Sequence, residues 1–491
     1  METINQTHST TPLPNHPFDH PGSPRPLRFG PGLVYGFASV VCMWVVWLLT
    51  HTPGLELPPI AVGSALVITL IAVTVAAGWS IAKGGAGRVA WQVGAIAGFV
   101  ASAVNLLILG SYIAEQARPG SKPAEGFSGL EPSSLIYIPG FLLAGTVIGT
   151  LSGLIGSLLT KGSTPPGGRY AGHDHWLSRL ALIATISILP LITLGGLVTT
   201  TASGMAVPGW PDSYGANMFL FPISLMSHPR VFLEHSHRLF GAMVGLNILA
   251  LMIYTLCVEK RRWVRGWVVV VFIFVCLQGV LGGVRVNANS QLLAMVHGVS
   301  AQLFFAMTAA AAMYLTLGYR ELKAASAPAQ LNEEDAKIMK RRRVMATGLL
   351  HILMVQLIMG AWFRHFGQMH PLYTHIALSL VIVIMGFSTG LLFRQTADLT
   401  ARAAPISRRV GMGILICLGL QFVLGWGAFA VVLLGPAKGN VPLHDDLNST
   451  PIPSYLQSIV ATGHQANGAI LIGLAAAATV LGRAAARRRA A

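Results

Sequence analysis

Twelve long apolar runs fix the solvent in which this chain folds. They lie near residues 32–50, 60–82, 89–113, 134–159, 177–200, 236–258, 266–283, 292–317, 344–362, 372–394, 409–434 and 457–482. A helix of about 20 residues covers the hydrocarbon core of a bilayer. Within that core each backbone N–H and C=O needs a protein partner, which only helices and closed barrels supply. The runs are rich in Leu, Ala, Ile and Gly and lack the two-residue alternation of a barrel strand, so they read as helices. Pro139 and Pro190 fall inside them and are tolerated in a membrane span. Only 10% of the residues are charged, against about 25% in soluble proteins. The expected fold is an all-α polytopic membrane protein with about 12 transmembrane helices.

A formal charge of +16 is compatible with a nucleic-acid partner, but its placement points to topology. With the N-terminus inside, 26 of the 33 Lys and Arg fall on the cytoplasmic side. That bias is the positive-inside rule, with both termini cytoplasmic and no nucleic acid implied. Cys42, Cys257, Cys276 and Cys417 all lie within spans, so no exported disulfide framework is indicated. Residues 1–30 are Pro-rich without an apolar stretch and read as a disordered cytoplasmic tail rather than a targeting peptide. Residues 484–491 form a basic cytoplasmic tail.

The last eight spans divide into two groups of four, 177–318 and 344–483, around a charged cytoplasmic linker at 319–343. CLQGVLGGVRV (276–286) is echoed by CLGLQFVLGWGAF (417–429), and each precedes a span with histidine near its start, MVHG and ATGHQ. The second span of each group also begins with histidine, in EHSHRLFG and LYTHIALSL. Two pseudo-symmetric four-helix bundles about an axis along the membrane normal are the simplest reading. The four additional helices of 31–160 form a membrane block of unknown role, with Asn105 and Glu115 as packing or interface residues.

His237, His297, His375 and His464 all head spans that run from outside to inside, so the four rings share one layer near the outer surface. Bundle cores accept cofactors between facing side chains, and imidazole is a standard haem ligand. A lone histidine at a span end is usually interfacial. Four at matched places in a repeat point to ligation, and two halves give two candidate haem sites. Zinc fits less well, because a structural site needs four ligands in one tetrahedron. His235 points elsewhere on its helix. His51, His228, His365, His370 and His444 read as outer-loop residues, and the His173–His175 pair as a weak metal signal.

The residues GGLVTTTASGMAVPGWPDSYGANMF (195–219), EHSHRLFG (234–241), LQGVLGGVRV (277–286), MVHG (295–298) and LIMGAWFRHFG (357–367), with the two histidine-headed spans of the second half, resemble the haem A synthase family. The resemblance covers roughly 177–483. It implies oxidation of the ring methyl of haem O to a formyl group by successive hydroxylations, giving haem A for terminal oxidases. It further implies substrate haem O between His237 and His297, a resident haem b between His375 and His464, and a catalytic carboxylate at Glu234. The setting would be a bacterial cell membrane, with haem O synthase, terminal oxidase assembly and an electron-transfer partner nearby.

Residues three apart share a helix face, so Glu234 and His237 can address one cavity. A carboxylate at the bilayer edge suits proton transfer. The alternative roles for Glu234 are to favour the helix N-terminus or to pair with Arg238. Arg238, Arg285 and Arg364 flank the histidine layer and are candidates for haem propionates, or are ordinary loop arginines. Trp210 and Tyr214 are candidate caps of the first cavity. Two departures from the family stand out. The outer-loop cysteine pair of many members is missing from 201–233, and the block 31–160 lies outside the usual eight-span core. The rival function is a di-haem b membrane electron carrier without methyl-oxidising activity, which would use the same histidines and not need Glu234. A transporter is disfavoured, since no discontinuous helix pair is evident.

Overall fold

A computed structural model describes residues 27–55, 57–117, 136–160, 171–221, 223–324, 333–396, 399–434 and 454–486. Among these residues thirteen α-helices form, and twelve are long and apolar enough to cross a membrane. The first four are α1 (Phe29–Thr50), α2 (Pro59–Lys83), α3 (Ala90–Ala117) and α4 (Tyr137–Leu158). The first bundle comprises α5 (His173–Thr200), α6 (Pro229–Val258), α7 (Arg262–Asn287) and α8 (Gln291–Leu315). A short helix α9 (Leu317–Ala324) precedes α10 (Glu333–Phe366), α11 (Met369–Arg394), α12 (Ala403–Leu434) and α13 (Tyr455–Ala486). The described residues of the charged segment 319–343 are thus helical, divided between α9 and the start of α10. Most of the N-terminal tail, the last five residues and His444 lie outside the described residues, as does the side chain of Glu115.

In lipid, helices gain little from burying apolar surface and associate by close packing. The N-terminal block shows how. Gly94 and Gly98 of α3 face Gly149 and Gly145 of α4 so closely that a Cβ on either would collide with the opposing carbonyl. This is the small-xxx-small spacing that lets backbones touch. Trp44 donates its indole N–H to Asn105 Oδ1 at 2.7 Å, so Asn105 ties α1 to α3.

The two halves share one packing scheme. In the first, α5 and α7 each pack against both α6 and α8; in the second, α10 and α12 each pack against both α11 and α13. The halves meet through α8 against α13, with α5 on α13 and α10 on α8. That reciprocity is what a two-fold axis between duplicated units produces. The N-terminal block closes another flank of the first bundle, where Trp44 meets Phe240 edge-on at 5.2 Å and Trp47 lies 6.1 Å from Phe232.

Local chemistry sets the helix ends that position the histidines. Pro229 occupies the first turn of α6, where its missing N–H is harmless, and His228 accepts the Arg230 N–H as an N-cap. The α7–α8 turn is tight. Asn289 adopts φ +43, a left-handed conformation that asparagine tolerates. Ser290 N–H bonds back to the Arg285 carbonyl at 3.2 Å, and the Ser290 hydroxyl caps α8 through Leu293 N–H. In the second half, Gly367 at φ +69 ends α10, donating to the Phe363 carbonyl at 2.9 Å. On the opposite face from the histidines, Glu259 is buried and gathers Arg261 at 2.8 Å and Arg320 at 2.6 Å, while Arg320 also reaches Asp174 at 2.8 Å.

Candidate functional site

The four histidines come together in two pairs. His237 of α6 faces His297 of α8 with ring centres 6.5 Å apart, and His375 of α11 faces His464 of α13 at 6.1 Å. A metal–imidazole bond of about 2.0 Å, plus about 1 Å from nitrogen to ring centre, puts two imidazoles on opposite sides of one metal about 6 Å apart. Both separations match that arrangement. Among the described residues no three His, Cys, Asp or Glu side chains group as metal donors, so each pair is a two-donor site. A four-coordinate protein-only zinc centre does not fit. A macrocycle that supplies its own four nitrogens and leaves two axial positions does.

Each ring is admitted by a glycine on the preceding helix. A Cβ at Gly195, Gly282, Gly360 or Gly425 would lie 3.0, 3.1, 2.9 and 3.1 Å from Cε1 of His237, His297, His375 and His464 respectively. The GGLV, LGGV, IMGA and LGWG motifs of the sequence therefore have a steric purpose: any larger residue displaces an imidazole.

The surroundings of the two pairs differ. His375 shares its Nδ1 with the Gln356 carbonyl at 2.9 Å, and the Gln356 amide returns a bond to the His375 carbonyl at 2.8 Å. Bonding Nδ1 to a carbonyl leaves Nε2 free to act as a ligand. The Gln421 amide sits 3.1 Å from His464 Nδ1 and is itself held by Asn467 at 2.7 Å. In the first pair, Nδ1 of both His237 and His297 is buried without a well-formed hydrogen bond, although His237 interacts with the Leu191 backbone.

A loop over residues 201–228 roofs the first pair and contains the two-stranded ribbon Asp212–Ser213 and Ala216–Asn217. Glu234 is buried, with Oε2 accepting Val207 N–H at 2.8 Å and Oε1 accepting Arg238 Nη2 at 2.9 Å. The Glu234–Arg238 pairing weighed from sequence is thus present. Arg238 directs its other terminal donors to the carbonyls of Val207, Gly209 and Asp212, so these hold the loop. Arg285 makes no side-chain hydrogen bond among the described residues. Its guanidinium packs over Gly204 and interacts electrostatically with Glu234 and the first histidine pair. Arg364 donates to the Thr199 carbonyl at 2.8 Å, crossing from the second half to the first. Trp210 lies on Gly283, where a Cβ would strike its ring, placing it beside the first site. Tyr214 stacks on Phe221.

Other histidines are structural. His235 is buried against Phe221 at 4.6 Å, with Ser213 Oγ 3.4 Å from its Nδ1. His51, read as solvated, bonds Tyr112 at 2.6 Å and the Trp47 carbonyl at 2.8 Å; burial lowers its pKa, in line with a neutral ring. The sequence reading missed the glutamines Gln356 and Gln421. Their signal was there: each stands four residues before a ring-bearing glycine, as does Gln278 before Gly282.

The profile of a family described as cytochrome oxidase assembly protein (COX15-CtaA) matches residues 178–372. Among curated relatives, a heme A synthase of Exiguobacterium sibiricum is 28% identical over 282 residues, covering 52% of this chain and 89% of its own length. A heme A synthase of Paracoccus denitrificans is 28% identical over 236 residues, 41% of this chain and 60% of its own length. Another, from an Exiguobacterium species, is 30% identical over 189 residues, 37% of this chain and 56% of its own length. With the paired imidazoles and these relatives taken together, the chain is similar to the haem A synthase (COX15-CtaA) family over residues 178–372.

Proposed function

We propose that this protein is a haem A synthase that oxidises the ring methyl of haem O to a formyl group. The observation that carries the reading is the pair of histidine couples, each spaced for one iron. In the first half His237 and His297 hold haem O as substrate. In the second half His375 and His464 hold a resident b-type haem, which supplies one-electron redox chemistry when bound.

Converting a methyl to a formyl with water as the oxygen source releases four protons and four electrons. Two successive hydroxylations give a gem-diol, which loses water to form the aldehyde. The chain's part is to orient the macrocycle and move protons. Of the buried carboxylates among the described residues, Glu234 alone lies at the histidine end; Glu259 and Glu321 sit at the other face. Glu234 receives protons from the reacting carbon and water, and Arg238 and Val207 N–H fix the orientation of its carboxylate. Arg285 supplies the open cation for a propionate, and Arg364 sits at the seam between halves. Trp210 caps the first site at α7.

The same reading places both termini in the cytoplasm of a bacterial cell, next to haem O synthase upstream and terminal oxidase assembly downstream. An electron-transfer partner accepts what the second half delivers. The test is expression in a host that makes haem O and lacks haem A, with extracted haem weighed by mass spectrometry. Haem A is the expected product. Protein loaded with haem at both pairs that yields no haem A would instead be a di-haem electron carrier.

A further inference from the structure

Below the first histidine pair α6 borders open space, and the second half carries larger side chains at the matching positions. One and two turns inward from His237, α6 carries Gly241 and Gly245, where a Cβ would meet no atom within 4 Å. Residues four apart follow one helix face, so these glycines continue the face that bears the ring and drift toward the α6–α7 seam. The corresponding residues of α11, four and eight after His375, are Ser379 and Val383. Val383 packs on the second-half core, and Ser379 folds onto the Ile376 carbonyl at 2.6 Å.

On the neighbouring helix α7 stands Gln278, one turn inward from Gly282 and on the same face of that helix. It is only 9% exposed, yet its Oε1 has no hydrogen-bond partner. Its counterpart Gln421, one turn inward from Gly425, has its oxygen satisfied by Asn467. Buried acceptors are nearly always paired, so an unpaired one on the inner face of this bundle marks where a ligand donor belongs. The α5 flank of this bundle is covered by α13 and α1. The α7 flank instead turns Leu277, Val280 and Val284 outward.

We propose that this open space is the subsite for the hydroxyalkyl isoprenoid substituent that distinguishes haem O from b-type haem. Gly241 and Gly245 leave room for the chain along the α6–α7 seam, and Gln278 Oε1 accepts a hydrogen bond from its hydroxyl. Ser379 and Val383 close the equivalent space in the second half, which selects a haem without the substituent there. This inference rests on the reading of the first pair as the substrate site.

The test is titration of the purified protein, carrying its second-half haem, with haem O and separately with protohaem, which lacks both hydroxyl and chain. Soret absorbance gives the affinity of the first site. Gly241→Val and Gly245→Val are expected to weaken haem O by at least about tenfold and leave protohaem nearly unchanged, as does Gln278→Leu by a smaller factor. Retained second-half haem reports that each variant is folded. Equal losses for both haems, or undiminished haem O affinity in all three variants, overturns the subsite. A wild-type protein whose titration is indistinguishable from that of His297→Ala removes the substrate-site reading itself, and the subsite with it.

Discussion

His375 rests its Nδ1 on the Gln356 carbonyl and His464 lies against a Gln421 amide that Asn467 holds in turn. In the first half the matching nitrogens of His237 and His297 are buried without a well-formed partner, on the same four-helix frame and over the same glycine cradles. Outer-shell hydrogen bonds fix a ligand's tautomer and orientation, and losing them typically lowers metal affinity 10–100-fold. On the proposed reading, His375 is thereby preset to help keep a haem in the second couple. On the same reading the first couple, less firmly held, takes haem O up and releases the product. The connections differ in the same sense: the first couple lies under the 201–228 loop, with Glu234, Arg238 and Trp210 gathered above it, whereas α10 passes to α11 through a tight turn at Gly367. On the proposed reading, one duplicated unit holds a haem and the other reacts on one.

The comparison breaks most directly at the ligands. His375→Ala or His464→Ala is expected to abolish the haem that copurifies, read as haem per chain by the pyridine haemochrome. His237→Ala should leave that haem in place and abolish uptake of added haem O. If copurified haem vanishes with His237→Ala and survives His375→Ala, the assignment of roles is reversed. Next in size, Glu234→Gln should preserve both haem sites and lower the rate of haem A formation by about 10²–10⁴, the usual scale for a general acid–base group. Retained turnover would remove Glu234 from the chemistry.

The cradles come next. Overpacking by one methyl costs about 1–3 kcal/mol, so Gly360→Ala should weaken the resident haem by roughly tenfold or more, and Gly195→Ala should do the same only for added haem O. Dissociation rates to a haem-scavenging apoprotein separate the two. Gln421→Leu is expected to speed loss of the resident haem by about tenfold, and Gln278→Leu to leave it unchanged.

The smallest effect lies at the opposite face. Burial pushes the Glu259 carboxyl up, but hydrogen bonds and charge from Arg261 and the Arg320 guanidinium outweigh it, leaving the pKa below the ordinary value. A group whose pKa is lowered by folding stabilises the protein above its unfolded pKa and loses that contribution as pH falls through the folded value. Thermal stability in detergent should therefore drop on acidification below the ordinary glutamate range. Glu259→Gln should show a flatter profile there and a lower melting temperature at neutral pH.

Much of this was legible in the sequence. Twelve apolar runs predict the twelve spans, and the direction of each run sets the four histidines in one layer; the helices obey because lipid leaves the backbone no other way to bond. What the sequence withheld is which atoms meet across helices. Gly195, Gly282, Gly360 and Gly425 are visible as glycines, but that each faces an imidazole depends on the register of neighbouring spans. The loop over 201–228 depends on left-handed backbone at Ala202 and Tyr214, which neither residue advertises. His51 and His228 look like loop residues until Tyr112 and the Arg230 N–H supply their partners. Helix α9 hides in a charged segment, since eight residues make too short a period to read.

Everything turns on each couple gripping one iron from both sides. The decisive measurement is the electron paramagnetic resonance spectrum of ferric protein saturated with haem O, with spin concentration set against chain concentration. Two low-spin, bis-imidazole irons per chain are predicted, one lost with His297→Ala and the other with His464→Ala. A high-spin signal from either site, or a single low-spin iron that survives both substitutions, would contradict the account.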